Sequence, residues 1–165
     1  KKLNINYVGF IFIGLMNVNG EPFVIEYNVR MGDPETQVVI PRLKSDLLAA
    51  LIATAKGELS SVAFELEDNV ATTVVGVAGG YPESYEKGHQ INGLDDEHNA
   101  LVFHAGTKVS HDSIITNGGR VIAVTGYGDT IESALEKSYD SLNKISWQDM
   151  YFRRDIGQDL LKLKT

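Results

Sequence analysis

Cysteine is absent from this 165-residue sequence, which excludes disulfide bonds and catalysis by a thiol nucleophile. Its absence agrees with a reducing compartment, so we expect a cytoplasmic protein. Long apolar runs are absent too. None approaches the roughly 20 residues that cross a bilayer, and the opening residues, Lys1 to Asn4, are too polar for a signal peptide. We therefore expect no membrane partner.

Basic residues are scarce, with 15 lysines and arginines against 22 acidic residues and a net charge of −7. A protein with this balance has no extended basic face to neutralise phosphates, so we expect no nucleic-acid partner. A small anionic substrate is not excluded, since a bound Mg²⁺ supplies local positive charge. The 43% hydrophobic content is typical of a soluble protein with a packed core.

The first part of the chain predicts a β-hairpin. Residues Tyr7 to Met16 form an almost continuous apolar run, which predicts a strand covered on both faces. The segment from Asn17 to Glu21 contains an Asn-Gly pair, a strong signal for a hairpin turn. The return strand is predicted from Pro22 to Val29.

Polar residues alternate with apolar ones along this return strand. Side chains two positions apart share a face of a strand, so Glu26, Asn28 and Arg30 are predicted to lie in a row. Carboxylate and amide oxygens suit Mg²⁺, and an arginine beside them suits the charge of a transferring phosphoryl group. The alternative is an exposed polar face with a surface ion pair of little energetic value.

Gly32-Asp33-Pro34-Glu35 predicts a turn that leads into a helix. Asp33 is a suitable N-cap residue, and Pro34 is suitable for the first helical position. The carboxylate of Glu35 complements the positive end of the helix. The two carboxylates disfavour an anion here, because their charge offsets the positive end of the helix, and they suit a cation instead. A purely structural role, with Asp33 as a cap and Glu35 in the first turn, is the alternative.

A second helix is predicted from Asp46 to Lys56, capped by Ser45 and ended by Gly57. Its predicted inward face is apolar and consists of Leu47, Leu48, Leu51, Ile52 and Ala55. The composition after Gly57 becomes mixed and acidic, and we place a domain boundary at about residue 60.

The remainder predicts three strands and one long helix. The strands are Val70 to Val77, Leu101 to Ala105 and Arg120 to Gly126. Residues 83–99 are polar and predict a loop with a short strand near Gln90. The helix begins after Thr130, and its inward face is predicted to be Ile131, Ala134, Leu135, Ser138, Tyr139 and Leu142.

Two basic segments of this part allow functional interpretations. Gly118-Gly119 beside Arg120 could approach a phosphate, although two adjacent glycines usually form only a turn. Arg153-Arg154-Asp155 could reach a nucleotide or ribose phosphate, or could form a structural ion-pair cluster. The residues alone leave both alternatives open.

The stretch from Val24 to Gln37, VIEYNVRMGDPETQ, resembles the signature of glycinamide ribonucleotide synthetases, which are ATP-grasp ligases. Glu-x-Asn-x-Arg recurs across ATP-grasp enzymes, whereas the following Gly-Asp-Pro-Glu is far more specific. Further blocks in the same order carry the resemblance: Tyr7 to Gly9, Gly14 to Met16, Phe103 to Thr107, Gly118 to Val121 and Tyr151 to Gly157.

The resemblance implies roles for individual residues. Glu26 and Asn28 match the ligands of the Mg²⁺ or Mn²⁺ bound to ATP, and Arg30 matches the arginine that steadies transferring charge. A substrate pocket is implied at Gly32, Asp33 and Glu35. The implied reaction phosphorylates glycine with ATP, after which the phosphoribosylamine nitrogen attacks the acyl phosphate.

The resemblance also implies an α+β fold. Residues 1–60 would be the carboxy-terminal part of the ATP-grasp domain, a partial sheet with helices. Residues 61–165 would be a small mixed β domain with one packed helix. The amino-terminal portion, with its phosphate-covering loop and lysines, would be missing. Two rivals stay open: another ATP-grasp ligase such as a carboxylase subunit, which Gly-Asp-Pro-Glu disfavours, and a non-catalytic nucleotide-binding or interaction module.

Overall fold

The computed structural model describes residues 3–162, so Lys1 and Lys2 of the polar start lie outside it. The chain divides into two compact units, which we call the first unit (residues 1–67) and the second unit (residues 68–165). This division falls a few residues beyond the expected boundary at about residue 60. The assignment of residues 1–60 and 61–165 to two domains of a synthetase stays a prediction. No helix within residues 3–162 is long and apolar enough to cross a membrane.

The first unit contains the expected hairpin. Strand β1 (Phe12–Val18) pairs antiparallel with β2 (Glu21–Asn28). The connecting residues Asn19 and Gly20 have φ values of 55° and 91°, the left-handed conformation that the tightest hairpin turns require and that Asn-Gly adopts readily. The Gly20 amide also donates to the Asn17 side-chain oxygen at 2.8 Å. The hairpin prediction is confirmed.

The predicted extent and burial of β1 were wrong. The strand begins at Phe12 rather than Tyr7, because the preceding segment bends. The Tyr7 hydroxyl donates to the Phe10 carbonyl at 2.6 Å and lies 3.0 Å from that of Val29. The strand is also largely exposed on both faces, with Leu15 57% exposed. Within residues 3–162, β1 and β2 form a two-stranded sheet, so the apolar composition of β1 did not by itself produce a strand covered on both faces.

Two helices follow in the first unit. Helix α1 (Thr36–Val39) is short and continues into a 3-10 turn, and α2 spans Leu47–Lys56. The cap of α2 is Asp46 rather than Ser45, because the Asp46 carboxylate accepts from the second and third amides of the helix. Ser45 instead accepts from the Glu65 amide at 2.7 Å. Gly57 ends α2 at φ 75°, as predicted.

The predicted inward face of α2 is not its buried face. Ala50 and Ala53 are buried, whereas Leu48 is 65% exposed and Ile52 47% exposed. Small residues therefore make the closest contacts of the helix. Leucine and isoleucine are left exposed because little of the described chain packs on that side.

The second unit is built on a three-stranded antiparallel sheet in the order β3-β7-β4. Strand β3 spans Val70–Val77, β4 spans Leu101–His104 and β7 spans Arg120–Gly128. All three strands were predicted, with β7 extending two residues further than expected. The β-branched residues in these strands fill a pleated, buried surface, which is why their sequence signal was strong.

Helix α3 (Ile131–Lys144) packs against β7 and β3. Thr130 caps it, and a reciprocal bond with Ser133 completes a capping box. The predicted inward face is confirmed at Ala134, Leu135, Ser138 and Leu142, which are all buried. The helix and the sheet enclose the core, formed chiefly by Val74, Val121, Ile122, Val124, Leu142, Ile145 and Trp147.

Other parts of the second unit were not predicted. A hairpin joins β5 (Thr107–Ser110) to β6 (Ser113–Thr116), and a short helix α4 spans Gln158–Lys162. The strand expected near Gln90 is only an isolated bridge between Gln90 and Ile115. The helices and antiparallel strands confirm a small mixed α/β domain. The assignment of the first unit to an ATP-grasp sheet stays a prediction.

Candidate active site

Glu26 and Asn28 lie on the same face of β2, as predicted. Their partners across the hairpin are Gly14 and Phe12. Directly opposed residues share a face of the sheet, and the Glu26 stem crosses the surface that Gly14 leaves open. A Cβ added to Gly14 would lie 3.0 Å from the Glu26 Cγ. A glycine at this position therefore gives the glutamate side chain its room.

A β-bulge lies immediately before these two residues. Gly14 pairs with Glu26 and Leu15 with Val24, so Ile25 is an extra residue in β2. A bulge bends the strand and changes the direction in which the following side chains point. The simple alternation expected from Phe23 onward is therefore broken at Ile25, while Glu26 and Asn28 beyond it keep their common face.

Arg30 does not continue this row by strand geometry. β2 ends at Asn28, and Arg30 lies in a bend beyond it. Its guanidinium donates to the carbonyl of the next residue, Met31, at 3.0 Å. The alignment of Arg30 with Glu26 and Asn28 therefore stays a prediction, because the strand that would fix it ends at Asn28.

The Gly32 turn folds back over the same face of the hairpin. Gly32 is buried, and a Cβ added there would meet the Glu35 carboxylate and come within 3.0 Å of the Phe12 ring. Phe12 is the cross-strand partner of Asn28. The structure therefore brings Gly32 and Glu35 to the face that carries the two predicted metal ligands.

The predicted helix start was wrong. Helix α1 begins at Thr36, so neither Asp33 at the N-cap nor Pro34 at the first helical position is correct. The Thr36 amide donates to the Gly32 carbonyl at 3.0 Å, and its hydroxyl donates to the same oxygen. The Asp33 carboxylate instead accepts from the Gln37 side chain at 3.0 Å. A helix cap therefore does not explain Asp33.

The donor set on this face suits a hard divalent cation. Glu26 offers an anionic carboxylate, and Asn28 a half-buried amide whose nitrogen is enclosed without a hydrogen-bond partner among residues 3–162. The oxygen and nitrogen of an amide are interchangeable by a flip, so this end of Asn28 can present an oxygen. No group of three or more histidine, cysteine or acidic residues with metal-site geometry occurs within the described chain. Two protein ligands plus substrate phosphates are the usual arrangement for Mg²⁺.

Arg153 and Arg154, in the second unit, have different surroundings. Arg153 forms a two-bond ion pair with Asp155, with distances of 2.9 Å and 2.8 Å. This pairing raises the pKa of Arg153 and lowers that of Asp155. The Arg154 guanidinium instead lies 4.7 Å from the centre of the Phe152 ring. The two arginines, adjacent in sequence, therefore do not act as one cluster.

Gly118 and Gly119 are engaged in packing. A Cβ on Gly118 would lie 2.9 Å from the Gly106 Cα, and one on Gly119 would enter the Tyr81 ring. The Arg120 carbonyl accepts from the Gly106 amide at 2.8 Å. Close approach between chain segments is thus sufficient to explain both glycines.

The second unit matches a known protein family over most of its length. Residues 71–159 fit the family model described as phosphoribosylglycinamide synthetase, C domain. These residues include all of the three-stranded sheet except Val70, together with helix α3 and the Arg153–Asp155 pair. The fold and the match together define the second unit as the carboxy-terminal domain of a synthetase family. The chain belongs to the phosphoribosylglycinamide synthetase family through this carboxy-terminal domain.

Curated relatives extend the likeness over both units. A phosphoribosylamine–glycine ligase of Chlorobaculum tepidum is 46% identical over 158 residues, which cover 94% of this chain and 37% of the relative. A bifunctional purine biosynthetic protein of Pichia angusta is 49% identical over 160 residues, covering 95% of this chain and 20% of that protein. The chain thus spans little more than a third of the length of the first relative.

A solved structure agrees with the fold. The crystal structure of a phosphoribosylamine–glycine ligase from Thermotoga maritima matches 88% of this chain and 36% of its own, with a TM-score of 0.77 and 36% sequence identity. The resemblance stated from the Gly-Asp-Pro-Glu signature is therefore confirmed at the level of the family.

Proposed function

We propose that this chain is the carboxy-terminal part of a phosphoribosylamine–glycine ligase. The ligase joins phosphoribosylamine to glycine at the expense of ATP and yields glycinamide ribonucleotide in de novo purine biosynthesis. The observation that carries the proposal is the 46% identity to a ligase of that name over 94% of this chain. The reaction proceeds through a glycyl phosphate, whose acyl carbon the amine of phosphoribosylamine attacks.

Glu26 and Asn28 would hold the Mg²⁺ or Mn²⁺ that accompanies ATP. They share a face of β2, and Asn28 has an enclosed amide atom without a partner among the described residues. The cation would neutralise phosphate charge as it develops during phosphoryl transfer. Glu26 contributes the negative charge that such a cation prefers, and Asn28 contributes a neutral oxygen.

Arg30 would steady the charge on the transferring phosphoryl or carboxylate group. Its side chain is exposed and makes a single bond to the neighbouring Met31 carbonyl. That bond uses one of five N–H donors, so most of the guanidinium stays available to an anion.

Gly32, Asp33 and Glu35 would shape the substrate pocket beside this face. Glycine is too small to be recognised by apolar area, so charge-assisted hydrogen bonds at both of its ends must hold it. Asp33 and Glu35 are exposed carboxylates in a turn packed against Phe12. At least one of them positions an amino group, with that of glycine preferred.

The remaining parts of the ligase would come from the missing amino-terminal portion of the same enzyme. The partial coverage of the relatives supports this, since the chain corresponds to 37% of the Chlorobaculum ligase. The phosphate-covering loop and its lysines would lie in that portion, so the chain alone is expected to be inactive. We propose a cytoplasmic location, although an Arabidopsis thaliana relative is named as chloroplastic.

The test compares this chain with a longer polypeptide that contains it and has the full length of the relatives. ADP release is measured with ATP and with glycine and phosphoribosylamine added singly and together. The full-length protein should release ADP rapidly only when both substrates are present, and the 165-residue chain should not. Absence of ligation by the full-length protein would overturn the proposed function. Comparable turnover by the chain alone would overturn the view that it is only a part.

A further inference from the structure

Arg154 differs from the other arginines of the chain in having no polar partner among residues 3–162. All five arginines lie within residues 3–162. Arg30 and Arg42 donate to backbone carbonyls, Arg153 binds Asp155, and Arg120 also has a partner. Arg154 makes no hydrogen bond or ion pair with any residue in that range, so all of its N–H donors are available.

The guanidinium of Arg154 is nevertheless held in place. Its central carbon lies 4.7 Å from the centre of the Phe152 ring, within the range of a cation–π contact. Phe152 itself packs against the Tyr139 ring at 6.2 Å. Stacking of this kind restricts the side chain while leaving the edge of the guanidinium, where the donors lie, uncommitted.

The backbone around Arg154 is anchored on both sides. Tyr151 exchanges two backbone hydrogen bonds with Val77 at the end of β3, at 2.8 Å and 3.1 Å. The Tyr139 hydroxyl donates to the Arg153 carbonyl at 2.9 Å and accepts from the Ile156 amide at 3.3 Å. Arg154 therefore projects from a segment tied to the sheet and to helix α3, and its position is set before any ligand arrives.

A surface cavity of about 300 Å³ lies beside this arginine, lined by Met150, Tyr151, Phe152 and Arg154. None of these described lining residues is acidic. Tyr151 is 59% exposed and its hydroxyl makes no hydrogen bond within the described chain. The neighbouring cavity around Arg153 differs, since Asp155 and Asp159 line it. Of these two cavities, the one beside Arg154 combines a cation that is unpaired within residues 3–162 with a second unused donor.

We propose that Arg154, assisted by the Tyr151 hydroxyl, binds the phosphate group of phosphoribosylamine. This inference rests on the proposed function for the identity of the ligand. A phosphate monoester carries close to two negative charges and three acceptor oxygens, and a guanidinium binds such a group through two parallel N–H donors. The phosphate lies at the far end of the sugar from the reacting amine, so it suits a site that binds without taking part in the chemistry.

Steady-state kinetics of the full-length ligase test the assignment, with phosphoribosylamine formed in the assay from ribose 5-phosphate and ammonia. Arg154→Ala should raise the KM for phosphoribosylamine about 10- to 100-fold, the usual effect of losing a charge-assisted pair of hydrogen bonds. The KM values for glycine and ATP should stay near those of the parent. Arg154→Lys, which keeps the charge but loses the two-donor geometry, should fall between the parent and the alanine variant.

Two variants serve as matched controls. Arg153→Ala removes the adjacent guanidinium, which is already bound to Asp155, and Lys137→Ala removes a cation from the exposed face of α3. Both should leave the KM for phosphoribosylamine close to the parent value. An unchanged KM in Arg154→Ala, or an equal rise in both controls, would overturn the assignment. So would equal changes in the KM of all three substrates, which would indicate that Arg154 supports the fold through its contact with Phe152 instead.

A binding measurement separates failure of this inference from failure of the proposed function. The full-length protein is titrated with ribose 5-phosphate, and the side-chain N–H resonance of Arg154 is followed by NMR. The resonance should shift saturably with ribose 5-phosphate and not with ribose, and Tyr151→Phe should weaken the binding. A protein that binds in this way but does not ligate would refute only the proposed function. A ligase whose Arg154 resonance does not respond would refute only the phosphate site.

Discussion

Two buried serines of helix α3 make a sharp prediction about the stability of the second unit. Ser138 is 0% exposed and Ser141 is 1% exposed. The Ser138 hydroxyl accepts from the Gly126 amide of β7 at 2.9 Å and lies 3.0 Å from the Thr72 carbonyl of β3. The Ser141 hydroxyl has no hydrogen-bond partner among residues 3–162. We predict that replacing Ser138 by alanine destabilises the second unit and that replacing Ser141 by alanine does not.

The expected change in the free energy of unfolding depends on which buried hydrogen bonds each replacement removes. Ser138→Ala removes a buried hydroxyl that accepts from the Gly126 amide and donates to the Thr72 carbonyl, and loss of these buried hydrogen bonds costs about 1–3 kcal/mol of unfolding free energy. Ser141→Ala removes a buried hydroxyl that already lacks a partner, so it should be neutral or stabilising by up to about 1 kcal/mol. The gain in helix propensity from serine to alanine, roughly 0.5 kcal/mol, is common to both. The variants should therefore differ by about 1–4 kcal/mol.

Urea unfolding followed by tryptophan fluorescence measures this difference. Trp147 is the single tryptophan of the chain and is packed in the core of the second unit, so its emission reports on that unit. At a slope of about 1–2 kcal/mol per molar urea, Ser138→Ala should lower the midpoint by about 1 M with an unchanged slope. Equal midpoints for the two variants would refute the reasoning, because the serines then could not differ in their hydrogen bonding.

The remaining predictions concern the candidate active site, and both use the full-length ligase. Glu26→Gln should reduce metal-dependent turnover sharply without unfolding the protein, because it removes the anionic ligand and keeps the shape of the side chain. Unchanged kinetics across a Mg²⁺ titration would show that Glu26 is not a ligand. Asp33→Asn or Glu35→Gln should raise the KM for glycine about 10-fold or more through loss of a charge-assisted bond, and unchanged KM values for glycine and phosphoribosylamine in both variants would exclude the role. The melting temperature of Asp33→Asn should hardly change, since the carboxylate does not cap α1 and its bond to Gln37 is exposed.

Helix α3 and the strands of the second unit were predictable because their signals are local. A run of β-branched residues specified Val70–Val77, and the spacing of apolar residues after Thr130 specified the buried side of α3. A capping residue and a periodic face act within a few positions of the chain. The packing of neighbouring segments is compatible with these local preferences, so the sequence-based prediction and the structure coincide.

The candidate site was predictable in its residue types but only partly in its geometry. The two-residue spacing of Glu26 and Asn28 placed them on one face, as observed. The bulge at Ile25 and the bend before Arg30 were missed, because strand pairing and the end of the ladder depend on the partner strand. The only sequence signal for the space above the strand was Gly14, a glycine within an otherwise apolar strand.

The amino-acid sequence by itself determined the family, through a signature whose residues are contiguous, and the elements whose preferences act over a few residues. Tertiary structure alone decided which polar groups are engaged. It paired Asp33 with Gln37 and joined Arg153 to Asp155, whereas Arg154 stacks on Phe152 and has no polar partner in the part of the chain that the structure describes. Adjacent arginines have the same intrinsic chemistry, and they differ only because the folded backbone directs one toward a carboxylate and the other toward an aromatic ring.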